Sequence, residues 1–148
     1  MNLGAFALVS LVARGGSERC EMDGFAGLAR RSPLVAASMT VFLLSLAGIP
    51  PTAGFWGKVY IFQAVIADGH TLLAVIALLN SAVALFYYLR VIVHLYMKEA
   101  EGDAYTANGA QAGTAMFVLA LLVLWIGLNP SPMAEWARRG VAALAGGI

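Results

Sequence analysis

The sequence has 148 residues, 61% hydrophobic and 11% charged, with a formal net charge of +1 and a mean hydropathy of +0.81; a soluble domain is nearer half apolar and about a quarter charged. The charges are also segregated: across residues 32–67, 69–89 and 104–134 the only Asp, Glu, Lys or Arg is Lys58. This excludes a disordered chain, a nucleic-acid binder and a soluble globule with a charged shell, and reads as an all-α polytopic membrane protein with the lipid bilayer around it.

Residues 1–13 are apolar but would cover only about 20 Å as a helix, short of a ~30 Å hydrocarbon core, so they read as a partial transmembrane helix. No basic segment precedes them, so no secretory signal is read here. Residues 14–32 form a polar loop carrying Arg14, Glu18, Arg19, Glu21, Asp23, Arg30 and Arg31, with a short amphipathic turn expected at 24–29. The single cysteine, Cys20, lies in this loop; it cannot make an internal disulfide and does not report the redox compartment.

Ser32 and Pro33 fit the N-cap and first position of a helix. The run from Leu34 to Ala47 then meets Gly48-Ile49-Pro50-Pro51-Thr52-Ala53-Gly54. Two consecutive prolines remove two backbone donors and clash with carbonyls one turn back, so the helix must break. Apolar sequence resumes from Phe55 to Ala67, and residues 33–67 read as one discontinuous transmembrane helix whose halves are joined end to end through the break. Asp68-Gly69-His70 is a tight turn. Residues 71–97 form a long span, 98–111 a polar loop, 112–129 a further span, and 130–148 a tail with Glu135, Arg138 and Arg139 set against Trp136, Val141 and Leu144, suited to lie at the interface. The expectation is three spans, the first broken at 48–54, plus the partial N-terminal helix.

Lysine and arginine counts orient the bundle. Arg14, Arg19, Arg30 and Arg31 precede the broken helix and Lys98 follows the second span, whereas the turn at 68–70 has none. The positive-inside rule makes 14–32 and 98–111 cytoplasmic loops and puts the C-terminus outside.

Lys58 is the sharpest chemical signal. It lies ten residues before Asp68, about 15 Å along a helix, which places it near mid-membrane and too deep to snorkel to the surface. An ammonium group there costs ~3 kcal/mol or more, and such residues mark ion or proton pathways. It could change charge state as a nearby charge appears or leaves; the competing reading is a lysine satisfied by a carbonyl freed by the break. The break reads in the same two ways, since unwound backbone at membrane depth is tolerated against protein or a wet cavity and transporters place ion sites there. Gly57-Lys58 is not a phosphate loop, because Thr52 takes the leading glycine position and Val59 follows the lysine.

Arg90 and His94 share a face one turn apart. With Lys98 a turn further on, they fit a helix end approaching the cytoplasmic headgroups, or, for His94, a proton relay. Asn80 and Ser81 read as polar residues that hold helices together. Tyr87, Tyr88, Tyr96, Trp125 and Trp136 fit interfacial belts. The sequence has no metal-ligand cluster, glycine fingerprint or nucleophile–base pair, and nothing suited to flavin, haem or iron–sulfur.

The run Ser45-Leu46-Ala47-Gly48-Ile49-Pro50-Pro51-Thr52-Ala53-Gly54-Phe55-Trp56-Gly57-Lys58 resembles the second broken helix of the antiporter-like membrane subunits of respiratory complex I, the NADH–quinone oxidoreductase, a family related to cation/proton antiporter and membrane-hydrogenase subunits. Within that family the chain is similar to the subunit N branch: Phe86-Tyr87-Tyr88-Leu89-Arg90-Val91 matches its next helix, and Lys58 stands where the sister subunit M carries glutamate. Asn2-Leu3-Gly4-Ala5-Phe6 resembles the interior of the preceding helix. The similarity covers nearly the whole chain and is least specific in the tail.

The resemblance implies a proton-translocating part of the membrane arm, coupling electron transfer from NADH to quinone to proton pumping. Lys58 would be the proton-relay residue, and Gly48, Pro50, Pro51 and Gly54 the hinge beside it. It assigns no role to His94. NADH, FMN, iron–sulfur clusters and quinone would belong to other subunits, leaving this chain without cofactor or metal. Its partners would be lipid, the other membrane-arm subunits and the N-terminal part of its own subunit, in a bacterial inner (plasma) membrane. Because the family has further helices, including another broken one with its own lysine, the chain is expected to be a C-terminal portion that does not pump alone. The alternatives are a cation/proton antiporter subunit and a small structural membrane protein.

Overall fold

The structure is a computed structural model, and it describes residues 1–13, 25–98 and 110–145. Among the described residues seven helices follow in order: α1 (Asn2–Ala13), α2 (Leu28–Arg31), α3 (Pro33–Ala47), α4 (Ala53–Ala67), α5 (Thr71–Met97), α6 (Ala110–Leu128) and α7 (Ser131–Ala145). Every regular element among the described residues is helical, as the composition requires of backbone placed in lipid.

Helix α3 is the centre, touching α1, α2, α4, α5 and α6. It buries Val35, Ala36, Ser38, Met39, Phe42, Leu43, Ser45 and Ala47, and the core gathers Val35, Ala36, Met39, Phe42 and Leu43 with Leu8 of α1, Leu28 of α2, Leu95 of α5 and Ala120 of α6. Lipid is as apolar as leucine, so helices associate there through close packing rather than hydrophobic drive. Gly4 shows the consequence: a Cβ on it would come 2.7 Å from Cζ of Phe42, so the absent side chain lets the ring seat on α1. Two of the α3 hydroxyls bond within the helix, Ser38 Oγ donating to the Leu34 carbonyl at 2.7 Å and Thr40 Oγ1 to that of Ala36 at 2.8 Å.

Ser32 occupies the N-cap position of α3 but makes no capping bond with its side chain. It is also the C-cap of α2, its N–H donating to the Leu28 carbonyl at 2.8 Å, and that double duty sets its backbone. The turn expected at 24–29 is, within the described residues, a turn over 25–27 leading into α2. The N–H of Gly27 donates to the His94 carbonyl at 3.4 Å, which docks this segment on α5. Cys20 and the charged residues of 14–24 lie outside the described residues, as do most of those in the loop after Lys98.

Helix α5 has 27 residues, about 40 Å at 1.5 Å each, and is the one helix among the described residues long and apolar enough to cross a membrane unaided. Its inward stripe is Ala74, Ser81, Leu85, Tyr88, Ile92 and Leu95, at helical spacing, while Leu72, Leu79 and Phe86 face out. Helix α6 starts at Ala110, two residues before the span read from the sequence. Helix α7 gathers Glu135, Arg138 and Arg139 on one face, with a 3.5 Å Arg139–Glu135 ion pair, and carries exposed Trp136 and Val141 on the other.

Candidate functional site

The break between α3 and α4 is built by two glycines and a proline pair. Helix α3 ends in a Schellman motif: Gly48 is left-handed at φ +83°, its N–H donates to Ser45 at 3.1 Å, and the N–H of Ile49 donates to the Leu44 carbonyl at 3.1 Å. The chain crosses the exposed Pro50 and Pro51, whose peptide bond is cis, and is gathered at the buried Thr52, whose Oγ1 donates to the Ile49 carbonyl at 2.7 Å. Gly54 then lies against Ser45: its N–H donates to Ser45 Oγ at 3.1 Å, and any Cβ would overlap the Ser45 carbonyl oxygen. The start of α4 therefore sits beside the last turn of α3. The halves overlap rather than meet end to end, because the glycine lets the two backbones touch.

This overlap brings Lys58, in the second turn of α4, back over the end of α3. Its Nζ donates to the carbonyl oxygen of Ala47, the last residue of α3, at 2.8 Å. It also donates to Ser81 Oγ on α5. Of the three N–H donors of an ammonium, two are thus engaged among the described residues, one by a carbonyl left over at the helix end and one by a hydroxyl. The stem lies on Gly48, where a Cβ would come 2.8 Å from Lys58 Cδ and 3.2 Å from Nζ. A helix C-terminus carries about half a negative charge, so α3 attracts the cation as well as bonding it.

Helix α6 closes the break from outside. Trp56 Nε1 donates to the Gly127 carbonyl at 2.7 Å. A Cβ on Gly127 would overlap the Pro51 carbonyl oxygen and come 2.6 Å from Thr52 Cα, so α6 passes the break with backbone touching backbone.

Of the residues singled out from the sequence, Gly48, Gly54 and Lys58 come together here, with Pro50 and Pro51 forming the connection. Arg90 and His94 do not join them. Arg90 is nine residues from Ser81, about 13 Å along α5 and on its opposite side, and is exposed. His94 is half-buried, its Nδ1 2.9 Å from the Arg90 carbonyl. Ser81 was read only as a residue that holds helices together; Asn80 beside it is exposed. Trp56 and Gly127 left no signal, since a tryptophan and a glycine in apolar runs have many uses. Among the described residues no three His, Cys, Asp or Glu side chains gather where they could hold a metal ion.

The chain is similar to known proteins in sequence and in fold. Residues 1–84 match the family described as NADH:quinone oxidoreductase/Mrp antiporter, TM. The chain is 44% identical over 143 residues to NADH-quinone oxidoreductase subunit N of Trichlorobacter lovleyi, an alignment covering 95% of this chain and 29% of the relative. It is 45% identical over 148 residues to NADH-quinone oxidoreductase subunit N 1 of Solibacter usitatus, covering 97% and 30%. The chain therefore spans less than a third of the length of these relatives. Respiratory complex I from Thermus thermophilus with bound aureothin contains a chain that superposes with a TM-score of 0.72 at 29% identity, over 88% of this chain and 33% of that one. With a broken helix that folds a lysine back over its own first half, and with these matches along its length, the chain belongs to the NADH:quinone oxidoreductase/Mrp antiporter transmembrane family.

Proposed function

We propose that the chain is part of a proton-translocating subunit in the membrane arm of an NADH-quinone oxidoreductase, with Lys58 as a proton-relay residue at the broken helix. The observation that carries this reading is the lone charged residue of an apolar broken helix, Lys58, held between the Ala47 carbonyl and the Ser81 hydroxyl. Its partners in this reading are the other complex I subunits, the rest of its own subunit and lipid. NADH, FMN, iron–sulfur clusters and quinone sit in those other subunits. The membrane is the bacterial inner membrane, with the loops at 14–32 and 98–111 cytoplasmic, the broken helix over 33–67 and the spans at 71–97 and 112–129 crossing it, and the tail from 130 at the outer face.

Lys58→Met in the full-length subunit of the assembled enzyme tests the reading. The expected result is fewer protons pumped per NADH oxidised at normal assembly. Unchanged pumping at normal assembly would remove Lys58 from the mechanism. The bond to Ala47 also favours a second reading, in which the lysine only closes the end of α3; poor assembly with an unchanged proton yield would identify that role. Since the family also includes Mrp antiporters, cation-dependent proton exchange by the assembled protein, without NADH, would move the chain to that branch.

A further inference from the structure

Within that reading, we infer that Ser81 is the positioning residue for Lys58: its hydroxyl, together with the Ala47 carbonyl, fixes where the ε-amino group stands and keeps it hydrogen-bonded in both of its charge states. The argument begins with the two partners of Nζ. The Ala47 carbonyl can only accept, so it serves an N–H whether the group is an ammonium or an amine. An amine also has a lone pair, which only a donor can satisfy. Ser81, which stands within hydrogen-bond reach of Nζ, is the partner able to change roles, accepting from an ammonium and, after a rotation of its O–H, donating to an amine.

Position supports the assignment. Ser81 lies on the inward stripe of α5, between Ala74 and Leu85, and is half-buried, whereas Asn80 is exposed one residue away. At membrane depth an unpaired polar group is expensive, so losing the hydroxyl would leave the amino group to find another partner. The stem has little room to do so, because it lies on Gly48 with Ala47 directly beyond. The reach from α4 to α5 is thus held at one point, and among the described residues that partner is a serine hydroxyl rather than a carboxylate.

Ser81→Thr and Ser81→Val in the full-length subunit of the assembled enzyme isolate the hydroxyl, since both add similar bulk and only threonine keeps the O–H. Valine should lower proton pumping about 2- to 10-fold, the range of one hydrogen bond, and threonine should restore most of it. On a Lys58→Met background the valine substitution should produce no further loss, because Ser81 acts through Lys58. Electron microscopy of the assembled enzyme reads the geometry independently of pumping: in the serine form Nζ stands within hydrogen-bond distance of both Ser81 Oγ and the Ala47 carbonyl, and in the valine form it has turned from α5. An amino group that stays in place with valine overturns the inference, whatever Lys58→Met does. Where Lys58→Met itself lowers pumping, equal pumping by the threonine and valine forms, or a valine loss that persists undiminished without Lys58, overturns it as well. If Lys58→Met pumps normally while the valine form still displaces the amino group, the relay reading fails and the positioning stands.

Discussion

Trp56 on α4 and Gly127 on α6, separated by 71 residues of sequence, are joined by a 2.7 Å hydrogen bond from the indole N–H to the glycine carbonyl. The same glycine lets α6 lie directly on the backbone of Pro51 and Thr52. Discontinuous helices leave unpaired backbone groups at membrane depth, and these are tolerated only where protein or water covers them. Here α6 provides the cover. The break is thus a packed junction of three helices, and the lysine next to it is held by partners from α3 and α5.

Removing that cover should be measurable. Trp56→Phe keeps an aromatic ring but loses the pyrrole half of the indole with its donor, leaving a carbonyl unpaired at about 1 kcal/mol. Gly127→Ala forces a methyl group into backbone that cannot yield, and should cost more, about 1–3 kcal/mol. Thermal unfolding of the detergent-solubilised full-length subunit should show Gly127→Ala melting below Trp56→Phe, and both below the parent. A Gly127→Ala protein that melts with the parent would mean that α6 does not pack against the break.

Gly54 and Gly57 stand one turn apart in α4 and should respond in opposite directions. A Cβ at Gly54 overlaps the Ser45 carbonyl oxygen, whereas a Cβ at Gly57 meets nothing within 4 Å. In a helix interior alanine is favoured over glycine by roughly 1 kcal/mol. Gly57→Ala should therefore be neutral or stabilising, and Gly54→Ala should prise the two half-helices apart. Melting temperature and yield of assembled complex for the two single variants check this; similar effects from both would contradict the overlapping geometry.

The break and its lysine were legible because Pro50-Pro51 and an isolated charge are local signals that follow from chemistry alone. The bounds of α3 and α5 and the end of α4 follow from the same apolar runs, whereas α4 begins at Ala53, inside the stretch read as the break; the turn at 68–70 follows from Gly69, which ends α4 in a second Schellman motif at φ +83°. The overlap of the halves was not legible. It depends on Gly54 meeting Ser45, and nothing in a sequence distinguishes a glycine that permits contact from one that only bends the chain. Ser81 was seen as a polar residue in a span, but its partner lies on another helix, and hydrophobic periodicity gives a face without saying what faces it. Ser32 takes the N-cap position that the sequence indicates, but its side chain makes no capping bond, and the same residue ends the preceding α2.

The orientation can be checked directly. In a Cys20→Ser background of the full-length subunit, single cysteines at Ser17 and Ser131 should react with a membrane-impermeant maleimide from opposite sides. Ser17 should label only in inverted vesicles and Ser131 only from outside. This follows from the arginine-rich loop and the three crossings proposed between it and α7. Labelling of both from one side would reverse the relation between that loop and the C-terminal tail.

Gly48 and Gly69 provide a matched pair that separates backbone strain from the lysine contact. Both are left-handed at φ +83° at a helix end, but a Cβ at Gly48 comes 2.8 Å from the Lys58 stem, while one at Gly69 meets nothing within 4 Å. Alanine in that conformation costs roughly 1–2 kcal/mol at either site. Gly69→Ala should therefore lower the melting temperature of the full-length subunit and leave proton pumping by the assembled enzyme unchanged. Gly48→Ala should lower both, because the methyl group displaces Lys58 from Ala47 and Ser81. Asparagine tolerates the left-handed region better than alanine yet still places a Cβ against the stem. Gly48→Asn should accordingly be the more stable of the two Gly48 variants and pump no better. If Gly48→Asn pumps at the parent rate, Lys58 can leave its two partners without consequence, and the contact among Gly48, Ala47 and the lysine stem is packing alone.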